Sequence, residues 1–134
     1  MIKPFEEAHI EALGLDTEHR VLLVANLETV RALSASGHGG SIVASDGTVV
    51  GVYGAGPIDP AKMDEAEVFL FLNPKAAQRY AGTLVKDLRH ELHRARSRYT
   101  AVRAVSADAP LFFRWFSRLG FKFSGIGPRG LTWA

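Results

Sequence analysis

The side chains able to do chemistry cluster around one apolar run and the helical stretch that follows it. Asp64, Glu65 and Glu67 bring three carboxylates together at the start of the run EVFLFL. A carboxylate placed there could take a proton from an amine; solvation of a loop is the plainer use of the same residues. Lys75 and Arg79 stand at the start of the long helical stretch, which has no Asp or Glu in its first turn. Cations at a helix N-terminus oppose the macrodipole by roughly a few tenths of a kcal/mol each, and a nearby anion would repair that. The anion could be a phosphate-bearing ligand or a carboxylate from a neighbouring subunit. A solvated lysine and arginine are the ordinary alternative.

Farther along, Lys86, Arg89, Arg94, Arg96, Arg98 and Arg103 face only Asp87 and Glu91 over residues 86–103. A basic helix such as 86–98 can bind nucleic acid through phosphates. No aromatics interleave with it and no nucleic-acid motif is present, so a solvated face or an interface with an acidic neighbour fits better. His90 and His93 could span a metal only with a third ligand, which the sequence does not place, and no metal site is expected. The absence of cysteine excludes disulfides, thiolate nucleophiles and cysteine zinc sites. Phe113 next to Arg114, together with Trp133, could be exposed, as aromatics beside arginine are at protein interfaces; a half-buried Phe is the plainer alternative.

The frame that must position these residues is small. A chain of 134 residues, 47% hydrophobic and 22% charged, suits one soluble globular domain spanning 1–134. No apolar run reaches the roughly 18 residues needed to span a bilayer. Glu6, Glu7 and Glu11 come too early for a secretory or mitochondrial signal, so a soluble intracellular protein is expected. The net charge of +2 conceals a split. Residues 1–74 hold four basic and eleven acidic side chains, a net of −7; residues 75–134 hold twelve and three, a net of +9. Such a split could draw an anionic ligand or pack copies acidic face on basic face. It could equally average out if the halves interleave.

Along the chain, Met1–Pro4 reads as a short strand and Phe5–Leu13 as a helix stopped by Gly14. Asp16 caps helical sequence over 17–36, one helix or two broken near Asn26. His38, Gly39 and Gly40 read as a loop. Ser41–Ser45, Asp46-Gly47 and Thr48–Tyr53 read as a β-hairpin, since Asp-Gly between β-branched runs is a strong turn signal. Residues 54–64 read as a loop, and Glu67–Leu72 as a strand buried on both faces. Asn73-Pro74 ends that strand. A helix from Lys75 or Gln78 to Ser97 carries one apolar stripe of Ala81, Leu84, Val85, Leu88, Leu92 and Ala95. Thr100–Val105 is a further strand. A last helix, capped by Ser106 or Asp108, buries Phe112, Trp115, Phe116 and Leu119 and ends at Gly120. Phe121–Trp133 returns as a strand or bent pair. The order predicts an α/β domain with a mixed sheet.

The hairpin SIVASDGTVVGVYG, the strand EVFLFLNP running into a long helix, and the end AVRAVSADAPLFFRWFSRLGFKFSG, with Leu119-Gly120-Phe121 closing its helix, resemble the GNAT superfamily of N-acetyltransferases. In length and in its helix-rich acidic start the chain looks most like the small GNAT-like internal virion proteins of short-tailed phages. The resemblance implies a central mixed, mostly antiparallel sheet, flanked by helices and splayed after residue 72. It implies an acetyl-CoA pyrophosphate on backbone N–H groups where the helix after the fourth strand begins. The family motif there is Q/R-x-x-G-x-G/A. Arg79, Tyr80, Ala81, Gly82 and Thr83 supply its Arg and first Gly, with Leu84 in place of the last small residue; a register set by Pro74 matches Gly82 alone. Many relatives carry a tyrosine four residues before the Gly of Gly-Phe to protonate the leaving thiolate. Phe116 stands there and has no proton to give. Asp108 lies near a common asparagine position, where its charge would repel CoA phosphates. Glu67 lies where some relatives place a general base.

The expectation is a GNAT-fold protein with a degenerate acetyl-CoA site, a phage or prophage virion or assembly component working through contacts with itself or other virion proteins. Arg94, Arg96 and Arg98 are its expected basic contacts and Phe113 its aromatic anchor. The alternative is an acetyl-CoA-dependent N-acetyltransferase acting on an amine, with the cofactor at Arg79–Thr83 and Glu67 as candidate base. A cytoplasmic or virion location, away from membranes, suits either.

Overall fold

A computed structural model describes residues 1–57, 59–106, 110–127 and 130–134. Asp108 and the side chains of Ser106 and Phe112 lie outside the described residues. The strands are β1 (Ile2–Lys3), β2 (Gly39–Val43), β3 (Val49–Gly56), β4 (Glu65–Leu72), β5 (Ala101–Ser106), β6 (Phe123–Gly127) and β7 (Gly130–Trp133). The helices are α1 (Ala8–Ala12), α2 (Thr17–Ala25), α3 (Leu27–Ala35), α4 (Pro74–Arg79), α5 (Ala81–Arg98) and α6 (Pro110–Arg118). Among the described residues these seven strands form one open, mostly antiparallel sheet in the order β1-β2-β3-β4-β5-β7-β6. The α/β class and the mixed sheet expected from sequence are what the structure has.

Two compact units divide the chain: residues 1–54 with 70–87, and residues 55–69 with 88–134. Sorted this way, the first unit holds six basic and eight acidic side chains and the second ten and six. The −7 to +9 split along the sequence shrinks to −2 and +4, because acidic Asp59–Glu67 joins the basic C-terminal part.

In the first unit, Asp16 caps α2 by accepting the His19 N–H at 2.8 Å. Asn26 breaks the stretch that follows: its Nδ2 donates to the Leu22 carbonyl at 2.8 Å. The helical run is therefore two helices. Buried Ser41 ties β2 to α1 through a 2.6 Å hydrogen bond with His9 Nδ1. Gly39 and Gly40, expected in a loop, open β2 instead. A Cβ on Gly40 would stand 2.4 Å from the Lys3 carbonyl oxygen, so only glycine lets β1 lie alongside. The hairpin turns at Gly47, whose φ of 89° suits glycine, and Asp46 Oδ1 accepts the Thr48 N–H at 3.0 Å. Leu13, Leu23, Val30, Ile42, Val50, Val52 and Leu84 fill the core of this unit.

In the second unit, β4 pairs in parallel with β5 from Glu65↔Ala101 to Val68↔Ala104. The ladder thus ends four residues before the splay point expected from sequence. Strand β4 was expected to be buried on both faces; it alternates, with Ala66, Val68, Leu70 and Leu72 buried and Glu65, Glu67, Phe69 and Phe71 half-buried. Its start at Glu65 is fixed by Asp64, whose carbonyl accepts the Thr100 N–H at 2.8 Å. On α6, Trp115, Phe116 and Leu119 are buried as their spacing predicts. Phe116 meets Phe121 edge-on at 5.6 Å and Trp133 at 5.5 Å. Trp133 is therefore core, not the exposed aromatic expected from sequence.

Close approach of β3 to the end of β4 depends on Gly51. A Cβ there would sit 2.7 Å from both the Phe71 carbonyl oxygen and Leu72 Cδ2. Gly51→Ala should lower stability by about 1–3 kcal/mol through overpacking, read as a lower urea midpoint at unchanged m-value.

Candidate functional site

The turn from β4 into helix is built by Asn73. Its Oδ1 accepts the N–H groups of Lys75 and Ala76, both at 3.1 Å, and Pro74 takes the first helical position. The helix expected to be continuous from here to Ser97 breaks at Tyr80, with φ −107° and ψ 26°. Tyr80 N–H still reaches the Ala76 carbonyl, and its own carbonyl accepts from Leu84 N–H, each at 2.9 Å. Ala81, Gly82 and Thr83 supply the first N–H groups of α5. These are the donors that a helix N-terminus leaves open.

The break corrects the electrostatics expected from sequence. Lys75 stays in the first turn of α4, but Arg79 falls in its last turn, where a cation complements the dipole. Its guanidinium lies over the Tyr80 ring at 5.3 Å. The Tyr80 hydroxyl donates to the Asp46 carboxylate in the hairpin turn. That bond, helped by the Thr48 N–H and more distantly by Arg79, holds the Asp46 carboxyl down at about 2. An ionised carboxylate therefore stands beside the start of α5.

Of the motif residues, Arg79, Gly82 and Thr83 are exposed, and Tyr80 and Ala81 are half-buried. Leu84 is fully buried and faces the core, as its place in the stripe predicts. A Cβ on Gly82 would meet nothing within 4 Å. A cavity of about 660 Å³ opens alongside. Tyr80, Thr83 and Asp87 form one wall, Val43, Ala44, Ser45 and Gly47 of the hairpin another, and Met1 and Lys3 a third. Asp87 pairs with the Met1 amine at 2.5 Å. Sequence reasoning found the Asp46-Gly47 turn and the Tyr80 motif separately. No local signal joins residues 34 positions apart.

The other candidates lie in the second unit. Glu67 is half-buried on β4, in register with Arg103. Its neighbours in the carboxylate cluster are committed: Asp64 to Thr100 Oγ1 at 3.0 Å and Glu65 to Arg103 at 3.1 Å. Arg94, Arg96 and Arg98 are exposed but do not share a face. Arg94 and Arg98 lie one turn apart, and Arg96 is rotated about 200° from Arg94. Arg94 pairs with Glu91 at 3.1 Å, Arg96 covers the Phe121 ring at 5.2 Å, and Arg89 donates to the Arg118 carbonyl at 2.7 Å. The basic helix thus spends several of its cations inside the chain. His90 and His93 are exposed, and no metal-ligand cluster is present among the described residues. Phe113 packs edge-on against Trp133 at 5.0 Å and stays 38% exposed. No helix among the described residues is long and apolar enough to cross a membrane.

The sequence matches no protein-family model and no curated protein. Solved structures do resemble it. A GNAT-family acetyltransferase from Bacillus anthracis superposes with a TM-score of 0.60 at 14% identity, over 98% of this chain and 90% of that one. A protein from Exiguobacterium sp. 255-15, provisionally titled an acetyltransferase, gives 0.60 at 18% identity over 96% and 84%. The chain has the GNAT fold.

The Tyr80–Asp46 bond makes a pH prediction. A carboxyl lowered from 3.8 to about 2 on folding contributes stability that is complete above about pH 4 and fades as pH falls through 2. Tyr80→Phe should remove the tyrosine's share of that contribution, the largest one, while leaving the share of Thr48. Urea unfolding at pH 7, 4 and 2 checks it; identical pH dependence in both proteins would contradict it.

Proposed function

We propose that this chain binds an acyl-CoA at the start of α5 and acylates an amine. Gly82 carries the reading. Glycine in the first turn of a helix is less stable than alanine by up to about 1 kcal/mol, and no protein atom requires it here, since a Cβ would meet open space. What a missing Cβ does provide is close approach of an outside group to the first N–H groups of α5, those of Ala81, Gly82 and Thr83. A pyrophosphate at a helix N-terminus uses donors of this kind. Lys3, which shares the cavity with Thr83, adds a cation. Leu84, the departure from the family motif, is buried in the core and does not obstruct this side.

The chemistry would be a direct transfer. The amine nitrogen attacks the thioester carbonyl, the C–S bond breaks and CoA leaves as a thiolate. The nitrogen's proton passes to water. Phe116 is 1% exposed between Phe121 and Trp133 and cannot protonate the thiolate, which takes its proton from water. The fold neighbours named as acetyltransferases support an acetyl group as the cargo.

A second reading, a non-catalytic GNAT module of a phage or prophage virion acting through protein contacts, has its own support. Phe116 removes the usual acid, and the Asp46 carboxylate beside the start of α5 opposes a diphosphate. Calorimetric titration with acetyl-CoA separates the two. Micromolar binding supports the acyl-CoA reading; no heat at millimolar ligand overturns it and leaves the second. Gly82→Ala sharpens the test. It should leave stability equal or higher by up to about 1 kcal/mol, yet weaken acetyl-CoA binding about tenfold or more. If the enzyme turns over, its pH–rate profile should show no tyrosine limb.

A further inference from the structure

We propose that the second unit binds the phosphate backbone of a nucleic-acid duplex, through guanidinium groups gathered where α5 meets the end of α6. From residue 109 to 134 the chain holds four basic side chains and no Asp or Glu. Acids of this unit are engaged elsewhere: Asp64 with Thr100, Glu65 with Arg103 and Glu91 with Arg94. On α5, Arg89, His93 and Arg96 fall within about 60° of one another around the helix axis, and all three are exposed. On α6, Arg114 and Arg118 are about 40° apart and exposed as well.

Contacts bring the two rows together. Arg89 reaches from α5 to donate its Nε and Nη2 N–H groups to the Arg118 carbonyl, at 3.1 and 2.7 Å. Arg96, on the same side of α5, lies over the Phe121 ring at 5.2 Å, and its Nη1 is 3.9 Å from where a Cβ on Gly120 would stand. Arg118 lies over the Trp115 ring at 5.6 Å. Three guanidinium groups thus meet one short segment, 115–121. No carboxylate among the described residues pairs with any of them. Like charges gathered in this way repel, and an anion lying between them relieves the repulsion. Arg89 keeps N–H donors beyond the two it uses on the carbonyl. Arg96 and Arg118 rest on rings by their faces, which leaves their edges, the part that forks onto a phosphate, available. Groups already held in place lose less freedom when they bind.

What the face lacks selects its partner. Phe113, the exposed aromatic of α6, is turned about 140° from Arg118 and packs on Trp133 and Phe123 instead. A specific protein contact needs a buried apolar or aromatic centre. A membrane contact needs apolar side chains that enter the acyl region, and a single strand needs rings on which its bases stack. A duplex needs none of these: it presents about one negative charge per 1.7 Å of its axis, and cations alone hold it. Contacts to phosphate position a protein without reading bases, so no sequence preference is expected. The sequence pointed to Arg94, Arg96 and Arg98. Arg94 and Arg98 are turned about 140° and 180° from Arg89, and α6 supplies the second row in their place. This surface does not depend on whether the chain transfers an acyl group.

Fluorescence anisotropy of a short labelled DNA duplex tests this. With about four phosphate contacts, affinity should fall about 10²-fold between roughly 50 and 200 mM salt. Duplexes of unrelated sequence should bind alike. Arg114→Ala combined with Arg118→Ala should lower the salt slope by about two and weaken binding at least about tenfold at low salt. Both side chains are exposed, and the Arg118 carbonyl that Arg89 uses belongs to the backbone, so far-UV circular dichroism should be unchanged. Lys62→Ala combined with Arg98→Ala removes the same charge elsewhere, before β4 and on the far side of α5, and should bind within about twofold of wild type. No binding at the lower salt, or an equal loss in both double variants, would overturn the inference. So would tighter binding of a single strand, of poly-L-glutamate or of phosphatidylserine vesicles than of the duplex.

Discussion

At Asn73 the end of β4, its neighbour β3 and the helical segment are tied together by one residue. Its N–H donates to the Val50 carbonyl at 2.9 Å, its carbonyl accepts from Ala77 N–H at 2.8 Å, and its side chain caps the two N–H groups between. Strand pairing and helix initiation thus share one backbone unit. Where α4 points follows from the hydrogen bond that also closes the sheet beside it. The position of Tyr80, and hence the start of α5, is set seven residues later by the six-residue length of that short helix. Gly51 belongs to the same constraint, since a side chain there would push β3 away from Phe71 and Leu72.

From that fixed start the charges near α5 arrange themselves in opposition. Asp46 is held ionised by a tyrosine hydroxyl and a backbone N–H, a pairing that needs no outside cation. The Met1 amine is matched by Asp87. On the positive side stand Lys3, Arg79 over the Tyr80 ring, and the first N–H groups of α5. An anion entering here meets donors on one flank and a carboxylate on the other. The balance between them decides whether a diphosphate binds, and neither flank can be read from net charge.

The class of fold, the Asp46-Gly47 hairpin, the stripe of α5 and the buried face of α6 were legible because each rests on spacing within a few residues. Asp-Gly, the 3,4-spaced leucines and Leu119-Gly120-Phe121 carry their structure locally. The GNAT resemblance was legible for the same reason, as an order of such local elements. What escaped were features fixed by distant partners. Gly39 and Gly40 look like a loop until Lys3 is placed against them. Trp133 looks exposed until Phe113, Phe116 and Phe123 close around it. The grouping of Arg94, Arg96 and Arg98 looked like a face because three alternate positions read as a cluster in sequence, although a helix turns them apart. At the candidate site, the motif from Arg79 to Thr83 was visible, and its Asp46 partner was not.

The break at Tyr80 is hard to explain by packing. Ala76, Ala77, Leu84 and Leu88 are buried on both sides of it, and Ala77, Leu84 and Leu88 are spaced 7 and 4 apart, the spacing of an uninterrupted helix. A continuous helix from Pro74 to Arg98 would bury the same stripe. The sequence contains no proline at the break, and Gly82 comes after it. What distinguishes the broken form is contact outside the helix, the Tyr80 ring under Arg79 and its hydroxyl on Asp46. Those contacts belong to the broken form. Where local rules favour one arrangement and the fold maintains another, function is the usual reason. Here the maintained arrangement is a helix start followed at once by an exposed glycine.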